Sequence, residues 1–529
     1  MFSLVMILVG LLAIVQGAPL APKNDVTYCL QRAGVPVDMP GSVDWMRDAA
    51  AYNVRMPIYT PAAIAVPTTI PQIQAAVNCG REAKVHVSPK AGGHSYVSGG
   101  FGGENGHLVV QLDRMHNVSL NNITNIATVQ PGTRLGHMAT ELYRQGERAI
   151  SHGSCPRVGA SGHMTSGGYG MSSHQHGLAL DFVVGATVVL ADGSAVEVNA
   201  THNSDLFWAI RGAGNNFGIV ASWRLRTFEA PENVTWFRVT HDHWNQSNAA
   251  GYLASVEKYI NTEMPRTLGF RIADYGSGHP VTEGLYYGAE GQMKSDLTPF
   301  LAASGGSLST YHQVSWMDSI KHYAADNTLN SSLSTVVVDW MEPGPRDNFF
   351  AKSLTLNGLN GVAAETFVDY WYDVARQVID RKWWFQLDPA GGANSAYAAP
   401  GNEATAFAHR DKTFIIQFYD AVDHNMAYPA DGTSLLNDWV ANVTAVLPQG
   451  SWGAYPNYPD PTLNRSEAQR LYYGDNLDRL RKLKAKYDPE ELFYYPQSIE
   501  PWHNVTRGSV KRRTRVVAIS EKRGPVLKS

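Results

Sequence analysis

The segment VHVSPKAGGHSY, residues 85–96, decides the fold. Val85-His86-Val87 alternates as a strand does, and Ala91-Gly92-Gly93-His94 reads as a tight turn. A helix from about Thr69 to Ala83 precedes it, with Ile70, Ile73, Val77 and Gly80 on one face and Pro71 in the first turn. Consecutive N–H groups in a glycine turn make an anion nest, and glycine lets the backbone come close to a pyrophosphate. A second glycine-rich segment spans Ser161 to Gly170, and a third spans Arg211 to Gly218. Between them a strand runs from Val183 to Leu190 and turns at Ala191-Asp192-Gly193. No G-x-G-x-x-G fingerprint opens a βαβ unit, which argues against a Rossmann fold. Taken singly each cluster is an ordinary turn. Their order along the chain is the informative feature.

From about residue 229 to 449 the glycine motifs thin out. Sheet-like runs at Thr335–Trp340, Trp383–Leu387 and Thr413–Phe418 stand between helical stretches and predict a second domain. Ser466 to Tyr487 reads as one helix, with Leu477, Leu480 and Leu483 on one side and Pro489 ending it. A chain of 529 residues is too long for one compact core, so two or three domains are expected. With 44% apolar residues, 17% charged and a net charge of −4, the body is an ordinary globular one and no nucleic-acid partner is indicated. Arg507 to Ser529 is basic, contains Lys511-Arg512-Arg513 and Lys522-Arg523, and reads as a disordered tail (506–529) open to dibasic processing.

The chain opens with a nearly unbroken apolar run, Phe2 to Gly17, followed by Ala18. This reads as a signal peptide (1–17) cleaved after Gly17, although a positive n-region is missing. The run is short for a spanning helix, so a secreted protein without a membrane anchor in its mature form is expected. Sequons at Asn117, Asn122, Asn199, Asn233, Asn245, Asn330, Asn442, Asn464 and Asn504 fit that route and predict a glycoprotein. Of the three cysteines, Cys29 and Cys79 are both N-terminal and are expected to pair. Cys155 is left over, and in the plainest reading is a buried thiol.

A resemblance gives Cys155 a second reading. Pro89-Lys90-Ala91-Gly92-Gly93-His94-Ser95-Tyr96 resembles the flavin-attachment loop of the berberine-bridge-enzyme-like oxidases, within the vanillyl-alcohol-oxidase superfamily. Gly153-Ser154-Cys155-Pro156, followed by Gly159-Ala160-Ser161-Gly162-His163, resembles that family's second attachment segment. Asp205 to Gly212 with Asn216-Phe217-Gly218-Ile219-Val220 is similar to a third block. Tyr472 to Leu477, Tyr487-Asp488-Pro489 and Phe493 are similar to the closing helix. These motifs stand in family order over nearly the whole mature chain. They resemble most those of the fungal gluco- and chito-oligosaccharide (carbohydrate) oxidases.

The resemblance implies an α+β fold: a two-part PCMH-type FAD-binding domain, residues 25–228 and 450–505, and a substrate domain, 229–449, with an antiparallel sheet backed by helices. It implies bicovalent FAD, with His94 bonded to the 8α-methyl carbon and Cys155 to C6. Such links raise the flavin's potential and hold the ring without walls on every side. Lys90, Ala91, Gly92, Gly93, Ser95, Ser161, Gly162, His163, Gly168, Gly218, Ile219, Val220 and Asn457 are the other expected cofactor contacts. Ala213 and Asn215 depart from the family's usual glycines.

In Gly453-Ala454-Tyr455-Pro456-Asn457-Tyr458-Pro459-Asp460, the resemblance makes Tyr458 the general base. A phenol near pKa ~10 is a poor base at neutral pH, so a neighbour must lower that value or accept the proton in concert. Period-two spacing in Trp384-Phe385-Gln386-Leu387-Asp388 places Trp384, Gln386 and Asp388 on one strand face. In the family's carbohydrate oxidases the Asp assists the Tyr and the Gln contacts sugar. Gln417, Tyr96 and Tyr455 are further candidate sugar contacts, Arg271 is a candidate for steering sugar choice, and Val183 falls where oxygen access is set. Trp384 and Tyr455 as core aromatics, and Gln386 and Gln417 as outward strand residues, are the plain alternatives. His174 and His176 form H-x-H without a third ligand at metal spacing, so no metal is expected. The expected reaction is oxidation of a saccharide C1 hydroxyl to a lactone, with molecular oxygen reduced to peroxide by a monomeric enzyme. An alkaloid or other secondary-metabolite oxidase, and a secreted flavin binder with little turnover, are the competing readings.

Overall fold

The computed structural model describes residues 25–276, 279–324, 333, 335 and 346–502. The expected leader and basic tail lie outside the described residues.

The helix before the histidine turn spans Ile70–Ala83. Thr69 caps it, its hydroxyl accepting from Gln72 N, and Lys84 closes it in the left-handed conformation. Gly80 is required there, because a Cβ would stand 2.4 Å from a Val87 methyl. Cys79 on this helix is bonded to Cys29 on the helix Val26–Arg32, as expected. The following strand is Val87–Lys90, two residues later than the alternation suggests, and it carries Pro89. It tolerates proline because it is the edge of a four-stranded sheet, paired only with Leu108–Gln111.

A five-stranded antiparallel sheet runs in the order Val118–Asn121, Ile126–Val129, Ile219–Arg226, Val183–Val189, Ala195–Asn199. The helix Ser204–Ala213 kinks at Arg211 and Gly212. Gly212 has φ +132° and a Cβ on it would lie 2.2 Å from Phe407 N, so only glycine fits the bend.

The third sheet has eight strands, in the order Ser307–Val314, Val234–Thr240, Val281–Tyr286, Leu268–Asp274, Lys382–Pro389, Phe414–Val422, Asn348–Leu356, Trp452–Gly453. Every pairing in it is antiparallel. Trp383, Phe385 and Leu387 bury in a core with Val256, Phe367 and Trp439 from covering helices. The alternate residues Trp384, Gln386 and Asp388 therefore face the other way. The expected strand at Thr335–Trp340 falls outside the described residues except for Thr335, which is in no strand.

The C-terminal stretch read as one helix is two, Arg465–Tyr473 and Leu477–Tyr487, with a 3-10 turn at Gly474–Asn476 between them. Tertiary bonds overrule the leucine pattern here. Asn476 Nδ2 donates to the carbonyls of Asn402 (2.9 Å) and Thr405 (3.2 Å). Gly474 takes φ +45° to let the chain turn.

Candidate active site

The glycine loops and the free face of the eight-stranded sheet enclose a cavity of about 660 Å³, in the size range of small-molecule sites. Two backbones touch at its first wall. A Cβ on Gly92 would lie 2.3 Å from Gly159 N, and one on Gly159 would lie 2.4 Å from Gly92 N. Glycine at both positions lets the turn after Val87–Lys90 meet the segment that follows Cys155. Buried Arg134 braces the junction, its Nη1 donating to Gly92 O (2.8 Å) and Arg157 O (2.5 Å).

At that junction His94 Nε2 and Cys155 Sγ are 3.7 Å apart. Tyr52 stacks on the His94 ring at 3.8 Å and 29°. Burial, then the Arg134 charge, pushes His94 down to about 3, so the imidazole is neutral at working pH and keeps a lone pair for bond formation. His163 Nε2 accepts from Gly153 N at 2.9 Å and so pins the segment that carries Cys155. Asn457 Nδ2 donates to His163 O (3.0 Å).

Ala91, Gly93, Gly162, Gly218, Ile219 and Val220 also line the cavity, whereas Gly168 is not among the lining residues and donates its N–H to the Tyr455 hydroxyl. Two expected cofactor contacts have committed side chains. Lys90 Nζ donates to Asp48 O at 2.7 Å, and Ser161 Oγ is held between Pro131 O and Trp223 Nε1, at 2.8 Å each. Ser95 Oγ accepts from Gly99 N at 2.9 Å and holds the turn. Val183 is packed in the core of the five-stranded sheet and is not among the cavity-lining residues. Among the described residues no three His, Cys, Asp or Glu gather to hold a metal, and His176 stacks on Phe228 at 3.9 Å.

Also lining the cavity, Tyr458 lies parallel to Tyr96, 5.8 Å between ring centres, and edge-on to Tyr455. Asp388 is 1% exposed. Its Oδ2 accepts from Gln386 Nε2 at 2.7 Å, while its buried Oδ1 has no hydrogen-bond partner among the described residues. Burial raises Asp388 to about 7 against the opposing pull of Gln386 and Arg271. Burial also pushes the Tyr458 phenol well above its usual value, and Tyr96 and Asp388 add to the push. Gln417 Nε2 donates to Tyr96 OH at 3.0 Å. The Tyr455 hydroxyl accepts from Gly168 N and Tyr169 N, both 2.9 Å, and from Asn457 Nδ2 at 3.1 Å. Its lone pairs are committed to holding backbone.

Residues 61–199 match the family model described as FAD binding domain, and residues 454–500 match Berberine and berberine like. The carbohydrate oxidase of Microdochium nivale is 50% identical over 485 residues, 91% of this chain and 96% of that protein. The chain belongs to the berberine-bridge-enzyme-like family of FAD-linked oxidases. Among solved members of the family, xylooligosaccharide oxidase from Myceliophthora thermophila C1 in complex with xylobiose superposes with a TM-score of 0.87 at 44% identity, covering 90% of this chain and all of that one. Glucooligosaccharide oxidase from Acremonium strictum, whose structure concerns its 6-S-cysteinyl, 8α-N1-histidyl FAD, gives 0.85 at 42%, covering 90% and 99%.

The cavity fits the family's cofactor. The Gly92–Gly159 contact brings the two glycine segments together, and at that junction a neutral imidazole and a thiol converge as two attachment points on one flavin ring require. Sequence reasoning missed Tyr52, Arg134 and Tyr419. Tyr419 stacks on Trp384 at 4.8 Å and donates to Asp347. It sits two residues beyond Gln417 on the same strand, so period-two spacing would have found it. Tyr52 and Arg134 belong to no local pattern.

Proposed function

We propose that the protein is a secreted FAD-dependent oxidase that converts the C1 hydroxyl of a mono- or oligosaccharide to a lactone. The observation that carries the reading is that Tyr458, Gln386 and Gln417 line the same cavity as His94 and Cys155, with buried Asp388 hydrogen-bonded to Gln386. His94 and Cys155 hold the cofactor through two covalent bonds. Residues 25–228 with 450–505 form the cofactor domain, and 229–449 the substrate domain. Bound FAD supplies the two-electron oxidant for C1 and passes the electrons to oxygen, giving hydrogen peroxide.

The protein's own groups handle the proton. A phenol whose pKa is raised keeps its hydrogen at rest, so Tyr458 acts as a relay. It accepts the C1-hydroxyl proton while its own moves toward Asp388, whose Oδ1 carries no other hydrogen bond among the described residues and closes on the phenol when substrate is bound. Asp388, titrating near 7, is ready to receive a proton once ionised. Gln386 and Gln417 offer amides to sugar hydroxyls, Trp384 on its Tyr419 support offers a ring face to a sugar, and Tyr96 extends that surface. Tyr455 positions the Gly168–Tyr169 turn rather than touching sugar. The polar row of Gln386, Asp388 and Gln417 weighs against an apolar alkaloid. The Cys29–Cys79 disulfide supports export through an oxidising compartment. We read the enzyme as a monomer.

The test is a peroxide-release screen over glucose, lactose, and cello-, xylo-, malto- and chito-oligosaccharides. Turnover with at least one reducing sugar, with its aldonic acid as product, is expected. Turnover only with non-sugar alcohols would move the protein to the secondary-metabolite branch.

A further inference from the structure

We infer that Glu283 is a positioning residue that sets the acidity of Asp388 through Arg271 and Gln386. The inference rests on the role given to Asp388 above.

The sheet register creates a row of alternating charge. Arg238 stands opposite Glu283, and Glu283 opposite Arg271. The next pairing sets Ile272 against Leu387 and Ala273 against Gln386, which brings Arg271 level with Asp388. The contacts follow the register. Arg238 Nη1 lies 3.5 Å from Glu283 Oε1, and Arg271 Nη2 donates to Glu283 Oε2 at 3.3 Å. Arg271 Nη1 donates to Gln386 Oε1 at 3.0 Å, and Gln386 Nε2 donates to Asp388 Oδ2 at 2.7 Å.

This chain has one direction. A guanidinium can only donate, so the Gln386 oxygen faces Arg271 and its NH₂ faces Asp388. An NH₂ can only donate in turn, so any proton on Asp388 sits on Oδ1. Arg271 favours the ionised Asp388, and the Glu283 carboxylate offsets part of that field. The other titratable groups around the row are the phenols of Tyr169, Tyr455 and Tyr458 beside Asp388, and those of Tyr275 and Tyr323 beside Arg271. His322 also lies near Arg271 and Glu283, and burial lowers its pKa from the usual imidazole value.

Glu283→Gln keeps the shape and the hydrogen bond to Arg271 but drops the charge. Asp388 should become the stronger acid, and the acid limb of the pH–rate profile should move down by about 0.5–1 pH unit. Glu283→Asp, which keeps the charge, should leave the limb near wild type. Arg238→Gln should move it the other way by a smaller amount, because Glu283 then offsets Arg271 more strongly. Opposite signs from two surface-side variants are not what general loosening of the sheet produces.

The measurement is anaerobic flavin reduction of the holoenzyme by its best sugar from pH 4 to 9, with Asp388→Asn as reference. An acid limb absent in Asp388→Asn, lowered in Glu283→Gln and raised in Arg238→Gln is the expected result. A limb absent in Asp388→Asn but unmoved or raised in Glu283→Gln overturns the inference and leaves the role of Asp388 standing. Should Glu283→Gln not fold, an unmoved limb in Arg238→Gln overturns it equally. A limb that persists in Asp388→Asn overturns the Asp388 assignment and the inference together.

Discussion

Cys155 Sγ and His94 Nε2 lie 3.7 Å apart although the two residues are 61 positions apart in the chain. The Gly92–Gly159 backbone contact and the Arg134 brace produce this convergence, so neither attachment side chain depends on the other for its place. His94→Ala and Cys155→Ala should each keep flavin bound through the remaining link after denaturation and precipitation. Mass spectrometry of the two variants should find a flavin peptide in both. Complete release of flavin from either one would contradict attachment at two points.

Tyr458→Phe removes one hydroxyl from a ring held between Tyr96 and Tyr455. Flavin attachment and folding should survive. Anaerobic stopped-flow reduction should slow by ~10²–10⁴-fold, the usual contribution of a positioned acid–base group. Apparent substrate affinity should change less than the rate, since the lost contact matters most in the transition state. A near wild-type reduction rate would place the proton acceptor elsewhere.

Asp388 is an acid whose folded-state pKa, about 7, stands above its ordinary 3.8. Between those values the folded protein binds more protons than the unfolded chain, so this residue makes stability fall as pH rises from about 4 to 7. Asp388→Asn should remove that penalty. The variant should gain on the order of 2–4 kcal/mol over wild type at pH 8 and little at pH 4. Thermal melts at the two pH values check it. Equal shifts at both would show that Asp388 is not held as a buried acid.

The Cys29–Cys79 bond closes a loop with a sequence separation of 50 and ties two helices beside the four-stranded sheet. Cys29→Ser with Cys79→Ser should cost roughly 2–4 kcal/mol, chiefly through the unfolded chain. The flavin content of the surviving folded protein should be unchanged, because neither cysteine lines the cavity. Flavin loss at full stability would contradict this separation of roles.

The site was legible wherever a local pattern stands for chemistry. Gly92-Gly93-His94 and the left-over Cys155 marked the first wall, and period-two spacing put Trp384, Gln386 and Asp388 on one face. Tertiary relations were not legible. Nothing near Arg134 in sequence says that it braces Gly92 and Arg157, and Tyr52 reaches His94 from an unpatterned loop. The hydroxyl of Tyr455 looked available until its three N–H donors were in view. The single C-terminal helix failed for the same reason, because the bonds of Asn476 to Asn402 and Thr405 outweigh a continuous leucine pattern.

The most direct test of the central claim uses a sugar deuterated at C1. Anaerobic reduction of the flavin by the labelled sugar should be several-fold slower than by the unlabelled one, and each turnover in air should yield one lactone or aldonic acid and one hydrogen peroxide. Flavin that no reducing sugar bleaches, or bleaching with no isotope effect in the single-turnover chemical step, would contradict C1 oxidation at this site.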